Sequence, residues 1–437
     1  MLSGHYQNEH DQLAHQALGE GSQVLKAVTR LADKREVLAS EDIYSQNGIK
    51  LVSGGTRLSG KFYDRLVAHK LLKPIEESLS VEGALDSEKL VSLAHEEARR
   101  IPSLAPLLGQ PELLERLQKF FYGLKIPEPL ALKLTLMQEE RPLLFQHSLI
   151  VSVLSVVLGI RASLPLEELQ ALALASAFHD IGELCIDPVI LAPEHYIDTE
   201  ERRYLFTHPI TGYLMLRDFK ELPAGMAEGV YQHHERLDGS GYPYGLQGEQ
   251  IGRVARFIAV AELVASLLER NGADQRIGMK LRLNLDKFDP VAVGLMCALF
   301  GDTKAPNAQL PGNSQLRIRL AKAGELFEDW VTFRNTLAPG VIEDGAYFID
   351  RMDAMRMMAL EPGYDLCRLE DLLPDEGSGD SEIRQELIVL LDELSWQLQE
   401  LTRIFERKLA DRGWSLPVSR REDFQKWMAQ VREFMEQ

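Results

Sequence analysis

Cysteine is scarce in this chain: 437 residues hold three, Cys185, Cys297 and Cys367, too far apart to form a CxxC pair. That excludes a disulfide framework, a zinc knuckle and a thiol redox centre. Basic residues are also in deficit, with 48 Lys and Arg against 66 Asp and Glu and a formal net charge of -18. A field of that sign does not gather a long nucleic acid. A metal pair or a few local arginines reverse it inside a cleft, so a small anionic ligand stays open. The opening MLSGHYQNEHDQL lacks the basic-then-apolar pattern of a secretory signal. The longest apolar run of note, 149–160, includes Ser152 and Ser155. It is shorter than the ~20 residues that cross a bilayer and reads as a buried helix. These absences predict a cytoplasmic chain whose partners include neither membrane nor long nucleic acid. No Gly-rich phosphate loop, receiver-like pattern or basic DNA-binding patch stands out to identify an input signal.

What is present is apolar content, 45% of the residues, enough for a sizeable core. The length suits about two or three domains. Residues 13–38 carry Val24, Val28, Leu31 and Leu38 on a loosely helical rhythm. The Asn-Gly and Gly-Gly pairs of 42–58 separate short alternating segments, as in a small hairpin. Helical spacing returns from 59 to 72, and Pro74 stops it. Residues 1–90 therefore read as a small α/β accessory module. From 91 to 325 helical patterns dominate, with helices expected over 129–138, 142–160, 167–179, 206–217, 223–234 and 252–269. Abundant Ala, Leu and Met and scarce β-branched alternation favour helix over strand. Residues 326–437 form a helical C-terminal extension, with GSGDS at 377–381 as a surface break and helices over 382–412 and 419–436. That tail is either a plain helical appendage or a homodimer contact; its heptads are too irregular for a coiled coil. The fold class expected is mainly α.

Five of the eleven histidines occur in motifs that suit one site. His179 and Asp180 follow the apolar stretch ALALASAF; adjacent residues on a helix point about 100° apart, but at a helix end they can grasp neighbouring ions. His208-Pro209 marks a helix start, His233-His234 ends another helix before the glycine-rich DGSGYPYG, and His147 lies inside an apolar helix. Glu262 is the single acid in the apolar stretch AVAELVASL. Taken singly, each has a plain structural reading: a hydrogen-bonded core histidine, a helix-end salt bridge, a cap, a satisfied buried carboxylate. Taken together, burying so many polar groups is costly unless they share partners. Imidazole nitrogens and carboxylate oxygens suit iron, manganese or zinc.

HDIG at 179–182, HP at 208–209, HHERLDGSGYP at 233–243 and the helix carrying Arg256 and Glu262 resemble the HD-GYP family of HD-domain metal-dependent phosphohydrolases. FDP at 288–290 resembles a later segment of that family, and the likeness covers about 130–310. The resemblance implies an HD-domain helical bundle over 91–325 that holds divalent ions. It further implies hydrolysis of the bacterial second messenger cyclic di-GMP to pGpG or GMP by metal-activated water. Carried over by motif, the metal ligands are His147, His179, Asp180, His208, His233, His234 and Glu262, with Asp180 bridging and His179 and Asp180 as the catalytic pair. The substrate-binding candidates are Glu183, Arg236, Gly241, Tyr242, Pro243, Arg256 and Arg270; Gly239, Gly241 and Pro243 would shape the loop beside the pocket.

The departures from the family pattern are specific. HDIGE replaces HDIGK, so Glu183 puts a negative charge where the family has a lysine. Glu262 stands where an aspartate is usual, and Leu143 and Ala265 replace two carboxylates of trinuclear members. Two ions, iron or manganese rather than zinc, are expected instead of three. The basic segment D-A-L-T-S-x-R-P-Y is missing; VASLLERNGADQR stands there, with Arg270 and Arg276 as the available cations. Three readings remain open at this level: a dinuclear cyclic-di-GMP phosphodiesterase, a weak or inactive relative that binds cyclic di-GMP or a signalling-protein partner, and a hydrolase of another small phosphoester or cyclic dinucleotide.

Overall fold

The computed structural model describes residues 11–14, 18, 23–102, 104, 126–191, 195, 199–271, 276–282, 284–300, 313–337, 346–360, 381–412 and 418–435. The chain is mainly α, as its composition predicts, and its contacts gather into two compact units. One comprises 1–274 and 285–300; the other comprises 275–284 and 301–437.

In the first unit, helix α1 (Gln23–Lys34) buries Val24, Leu25, Val28 and Leu31. The rhythm read through Leu38 breaks earlier, because Val37–Ala39 is strand β1, paired antiparallel with β4 (Leu79–Val81). The helical spacing of Leu38 is overridden by a tertiary partner, with Leu38 opposite Ser80. Strands β2 (Ile43–Tyr44) and β3 (Lys50–Val52) form the expected hairpin around Asn47-Gly48, where Gly48 adopts φ 76. The helix expected over 59–72 shrinks to a 3-10 turn at Gly60–Phe62 and the short α2 (Tyr63–Val67). Helix α3 (Ser87–Arg100) starts at Asp86, whose carboxylate accepts from the Lys89 amide at 2.8 Å.

Helices α4 (Glu128–Glu140), α5 (Pro142–Arg161), α6 (Leu166–Phe178), α7 (Thr199–Leu205), α8 (His208–Leu216), α9 (Met226–Gln232) and α10 (Arg253–Asn271) then build the bundle. Helix α11 (Arg276–Arg282) belongs to the second unit, and α12 (Pro290–Phe300) to the first. A 3-10 turn, Ile181–Cys185, follows α6. Helix α5 is apolar on every side and is therefore a core helix. It is long and apolar enough to cross a membrane, yet 72% of its apolar window is buried within the protein. The described residues between 11 and 90 belong to this unit. Lys133 on α4 pairs with Glu76 at 3.2 Å with both side chains buried, and Arg30 and Arg35 reach Glu140 and Glu139.

The second unit also contains α13 (Asn313–Arg334) and α14 (Ala346–Leu360), which the spacing did not predict, and α15 (Ser381–Arg412) and α16 (Val418–Met435), close to the expected tail helices. Its core centres on Trp330, Phe333, Phe348, Phe424 and Trp427. Trp427 donates its indole N–H to the Leu326 carbonyl at 2.9 Å. Cys367 and most of the GSGDS break lie outside the described residues.

Candidate metal centre

Helix ends build this site. His179 is the C-cap of α6, His233 the C-cap of α9, and His208 begins α8 just after α7 ends. Carbonyls in the last turn of a helix lack an amide partner, and here they accept from imidazoles. His179 Nδ1 donates to the Ser176 carbonyl at 2.9 Å, His208 Nδ1 to Leu205 at 2.8 Å and His233 Nδ1 to Val230 at 2.6 Å. A carbonyl only accepts, so Nδ1 is protonated in all three rings, and in the neutral form of each ring Nε2 carries the lone pair. That tautomer is the one a metal needs.

Those Nε2 atoms converge on Asp180. Its Oδ2 lies 3.0 Å from His179 Nε2, while Oδ1 lies 3.2 Å from His208 Nε2 and 3.4 Å from His233 Nε2. Each carboxylate oxygen thus addresses a different set of imidazoles. Donor atoms of Asp180, His208, His233 and His234 fall within 4.8 Å of one another, as do those of His147, His179 and Asp180. The donors fit a cation. His208 Nε2 and His233 Nε2 lie 3.3 Å apart, and His179 Nε2 is buried against Asp180 Oδ2 at 3.0 Å. So many buried nitrogen and carboxylate donors converging on one point repel unless positive charge, carried by protons or by a metal ion, lies among them.

The electrostatics agree. Burial works against charge on His179, but the Asp180 carboxylate overrides it and raises this histidine to about 9. Burial also opposes ionisation of Asp180, yet His179, His208 and His233 hold it well below the usual carboxylate range. His234 goes the other way: burial, then the neighbouring His233 and His208, depress it well below the ordinary value. It stays a neutral imidazole.

Glu262 on α10 faces His234, with Oε1 3.5 Å from Nδ1, and its Oε2 is buried without a partner. It stands beside the four-residue group rather than within it. Glu183 is partly buried; burial, then the Asp180 charge, push it up to about 7. The turn that carries both is tight. A Cβ on Gly182 would lie 2.1 Å from the His208 carbonyl oxygen, so only glycine lets HDIG meet α8. Leu143 is exposed and Ala265 buried, and neither offers a metal donor.

The glycine-rich loop forms the wall beside His234. Tyr242 is stacked between His234, at a centroid distance of 4.5 Å, and Phe206, at 4.2 Å. The peptide between Tyr242 and Pro243 is cis. Glu235 holds the loop by accepting from the Tyr244 amide at 2.8 Å and the Leu246 amide at 2.9 Å. Arg236 turns inward, donating to the carbonyls of His233 and Glu235 with its guanidinium 5.0 Å above Phe288. Arg256 pairs with Asp289 at 3.5 Å. Asp289 also caps α12 by accepting from the amides of Val291 and Ala292. FDP thus anchors the arginines that flank the loop. The side chains of Arg270 and Arg276 lie outside the described residues.

Gly241 is the tightest point of the loop: a Cβ there would approach Arg236 N and Glu235 Cα to 2.4 Å and the His234 carbonyl to 2.5 Å. All three are main-chain atoms and none can swing away. Gly241→Ala is expected to cost about 1–3 kcal/mol and to pull Tyr242 off His234. A thermal melt checks the first effect, and tyrosine fluorescence or a crystal structure checks the second; an unchanged melting curve contradicts this packing.

Sequence reasoning missed three residues here. Glu269 accepts from His147, Glu235 pins the loop and Phe206 backs Tyr242. A signal existed for Glu269: it follows Glu262 by seven residues and so shares a helix face with it. Glu235 lies inside HHERLDGSGYP and Phe206 two residues before His208, but neither string gives them a role, because their roles depend on loop geometry.

The HD domain family matches residues 132–284. A protein named as a cyclic di-GMP phosphodiesterase from Pseudomonas aeruginosa is 37% identical over 123 residues, 27% of this chain and 29% of that one. A cyclic di-GMP phosphodiesterase response regulator from Xanthomonas campestris is 37% identical over 106 residues, 23% of this chain and 27% of that one. A 3'3'-cGAMP-specific phosphodiesterase from Vibrio cholerae is 27% identical over 272 residues, 59% of this chain and 58% of that one. The chain therefore spans between about a quarter and three fifths of the length of these relatives.

Proposed function

We propose that this chain, whose residues 132–284 match the HD domain family and which carries HDIG, HP and HHERLDGSGYP, hydrolyses a cyclic dinucleotide at a site for two divalent metal ions. The single observation that carries this reading is Asp180, whose two oxygens face separate histidine groups. His147, His179 and Asp180 would hold one ion; Asp180, His208, His233 and His234 would hold the other. The unpartnered Oε2 of Glu262 is a further donor beside His234.

Iron or manganese held there would supply Lewis acidity for a phosphoryl oxygen and lower the pKa of water. The chain's own residues do the rest. The carbonyl-fixed tautomers keep three imidazoles aimed inward without reorganisation, and Asp180 offsets positive charge between the two sets. Tyr242, held between Phe206 and His234, walls the site against water on one side. The cyclic dinucleotide named for two of the relatives is cyclic di-GMP. We take it as the substrate, with pGpG or GMP as product. Residues 91–325 would carry the chemistry, 1–90 an accessory role, and 326–437 contact with a second copy or a signalling partner.

One observation favours a binding-only reading: Glu183, a carboxyl close enough to Asp180 to feel its charge, stands where the HD-GYP pattern has a lysine. Product identification decides between the two. The manganese-loaded chain is incubated with cyclic di-GMP and, in parallel, 3'3'-cGAMP. Multiple turnovers to a linear dinucleotide or mononucleotide are expected with cyclic di-GMP. Tight nucleotide binding with no product, on protein carrying two metals, rejects hydrolysis; product from 3'3'-cGAMP alone rejects the substrate.

A further inference from the structure

His147 differs from the other cluster histidines in how its ring is held. It lies near the start of the continuous helix α5, not at a helix end, so the carbonyls near it are committed to the helical ladder. Its Nδ1 instead reaches a carboxylate 122 residues away, Glu269 on α10, at 3.1 Å to Oε1 and 3.0 Å to Oε2. A carboxylate only accepts, so Nδ1 carries the proton and Nε2 is left as the donor toward His179, whose ring centroid lies 5.6 Å away. His179, His208 and His233 lean on neutral main-chain carbonyls; His147 leans on a charged side chain. The two halves of the cluster are therefore built differently.

We propose that Glu269 is a positioning residue for the His147 half of the centre, fixing the His147 tautomer and raising its basicity so that the ion held by His147, His179 and Asp180 binds selectively. This rests on the two-metal reading above. A carboxylate behind a coordinating imidazole strengthens metal binding, and its loss costs about 10–100-fold in affinity. About a third of the Glu269 side chain faces solvent, so the lower part of that range is expected. Glu269 comes from the stretch that replaces the missing basic segment, which gives that stretch a role on the metal rather than on the substrate.

The test measures metal binding without catalysis. Manganese is titrated into metal-free wild type, Glu269→Gln, which keeps an acceptor but not the charge, and Glu269→Ala, which keeps neither. Binding is read by calorimetry and by bound metal per chain, and melting of the metal-free proteins is read alongside. The expected result is two classes of site in the wild type and selective weakening of one by about tenfold or more in Glu269→Ala. An intermediate loss is expected in Glu269→Gln, the other site and the metal-free melting temperature being unchanged. Rescue by Glu269→Asp would be partial. Two unaltered sites in Glu269→Ala overturn the proposal while leaving the two-metal reading intact. Equal weakening of both sites overturns it too, and a wild type that takes up no metal overturns the reading of the site itself.

Discussion

Asp180→Asn is expected to lose both metals, not one, and with them at least about a thousandfold in turnover. The reason is geometric: Oδ1 belongs with His208 and His233, and Oδ2 belongs with His179. Asparagine keeps the shape but presents an amide N–H₂ to one of the two imidazole sets and removes the charge that offsets two cations. His147→Ala makes the contrast, because His147 belongs to one group alone. That variant is expected to keep about one metal per chain. Bound metal measured by elemental analysis on both variants, with circular dichroism to confirm helix content, checks the pair. An Asp180→Asn protein that holds one ion as tightly as wild type would show that the carboxylate does not bridge.

Glu183 gives the second large effect, and it appears in the metal-free chain. Burial first, and then the Asp180 charge, raise its carboxyl to about 7 from an ordinary 4.5. A raised acid keeps its proton more readily folded than unfolded. Its stabilisation is therefore complete below about 4.5 and is lost as pH rises through about 7. The full shift corresponds to about 3 kcal/mol as an upper bound. Glu183→Gln does not titrate. The variant is expected to match the metal-free wild type near pH 4 and to exceed it in stability above pH 7. Denaturant melts at a series of pH values, with metal stripped, check this; parallel stability curves for the two proteins would contradict it.

Much of the helical framework was legible because its signals are local. Pro142, at the first position of α5, sets that helix's start, and the apolar stretch before His179 defines α6. The motif histidines were legible because HDIG, HP and HHERLDGSGYP are contiguous strings. What fixes their chemistry was not. The tautomers depend on main-chain carbonyls three residues back, which become available only where a helix ends. The His147–Glu269 pair spans 122 residues. Leu38 was misassigned because a helical rhythm and a strand partner compete at one residue, and the partner, Ser80, is remote in sequence. Arg236 and Arg256 carry positive charge in the right motif. Their hydrogen bonds to His233, Glu235 and Asp289 show work in holding the loop that no charge pattern foretells.

The most direct test of the account is to titrate manganese or ferrous iron anaerobically into the metal-free chain and follow bound metal and cyclic di-GMP turnover in the same sample. If Asp180 joins two ions in one hydrolytic centre, turnover stays near zero through the first equivalent and rises as the second binds, with pGpG or GMP accumulating. Full turnover at one equivalent, or two bound equivalents with no product, would contradict it.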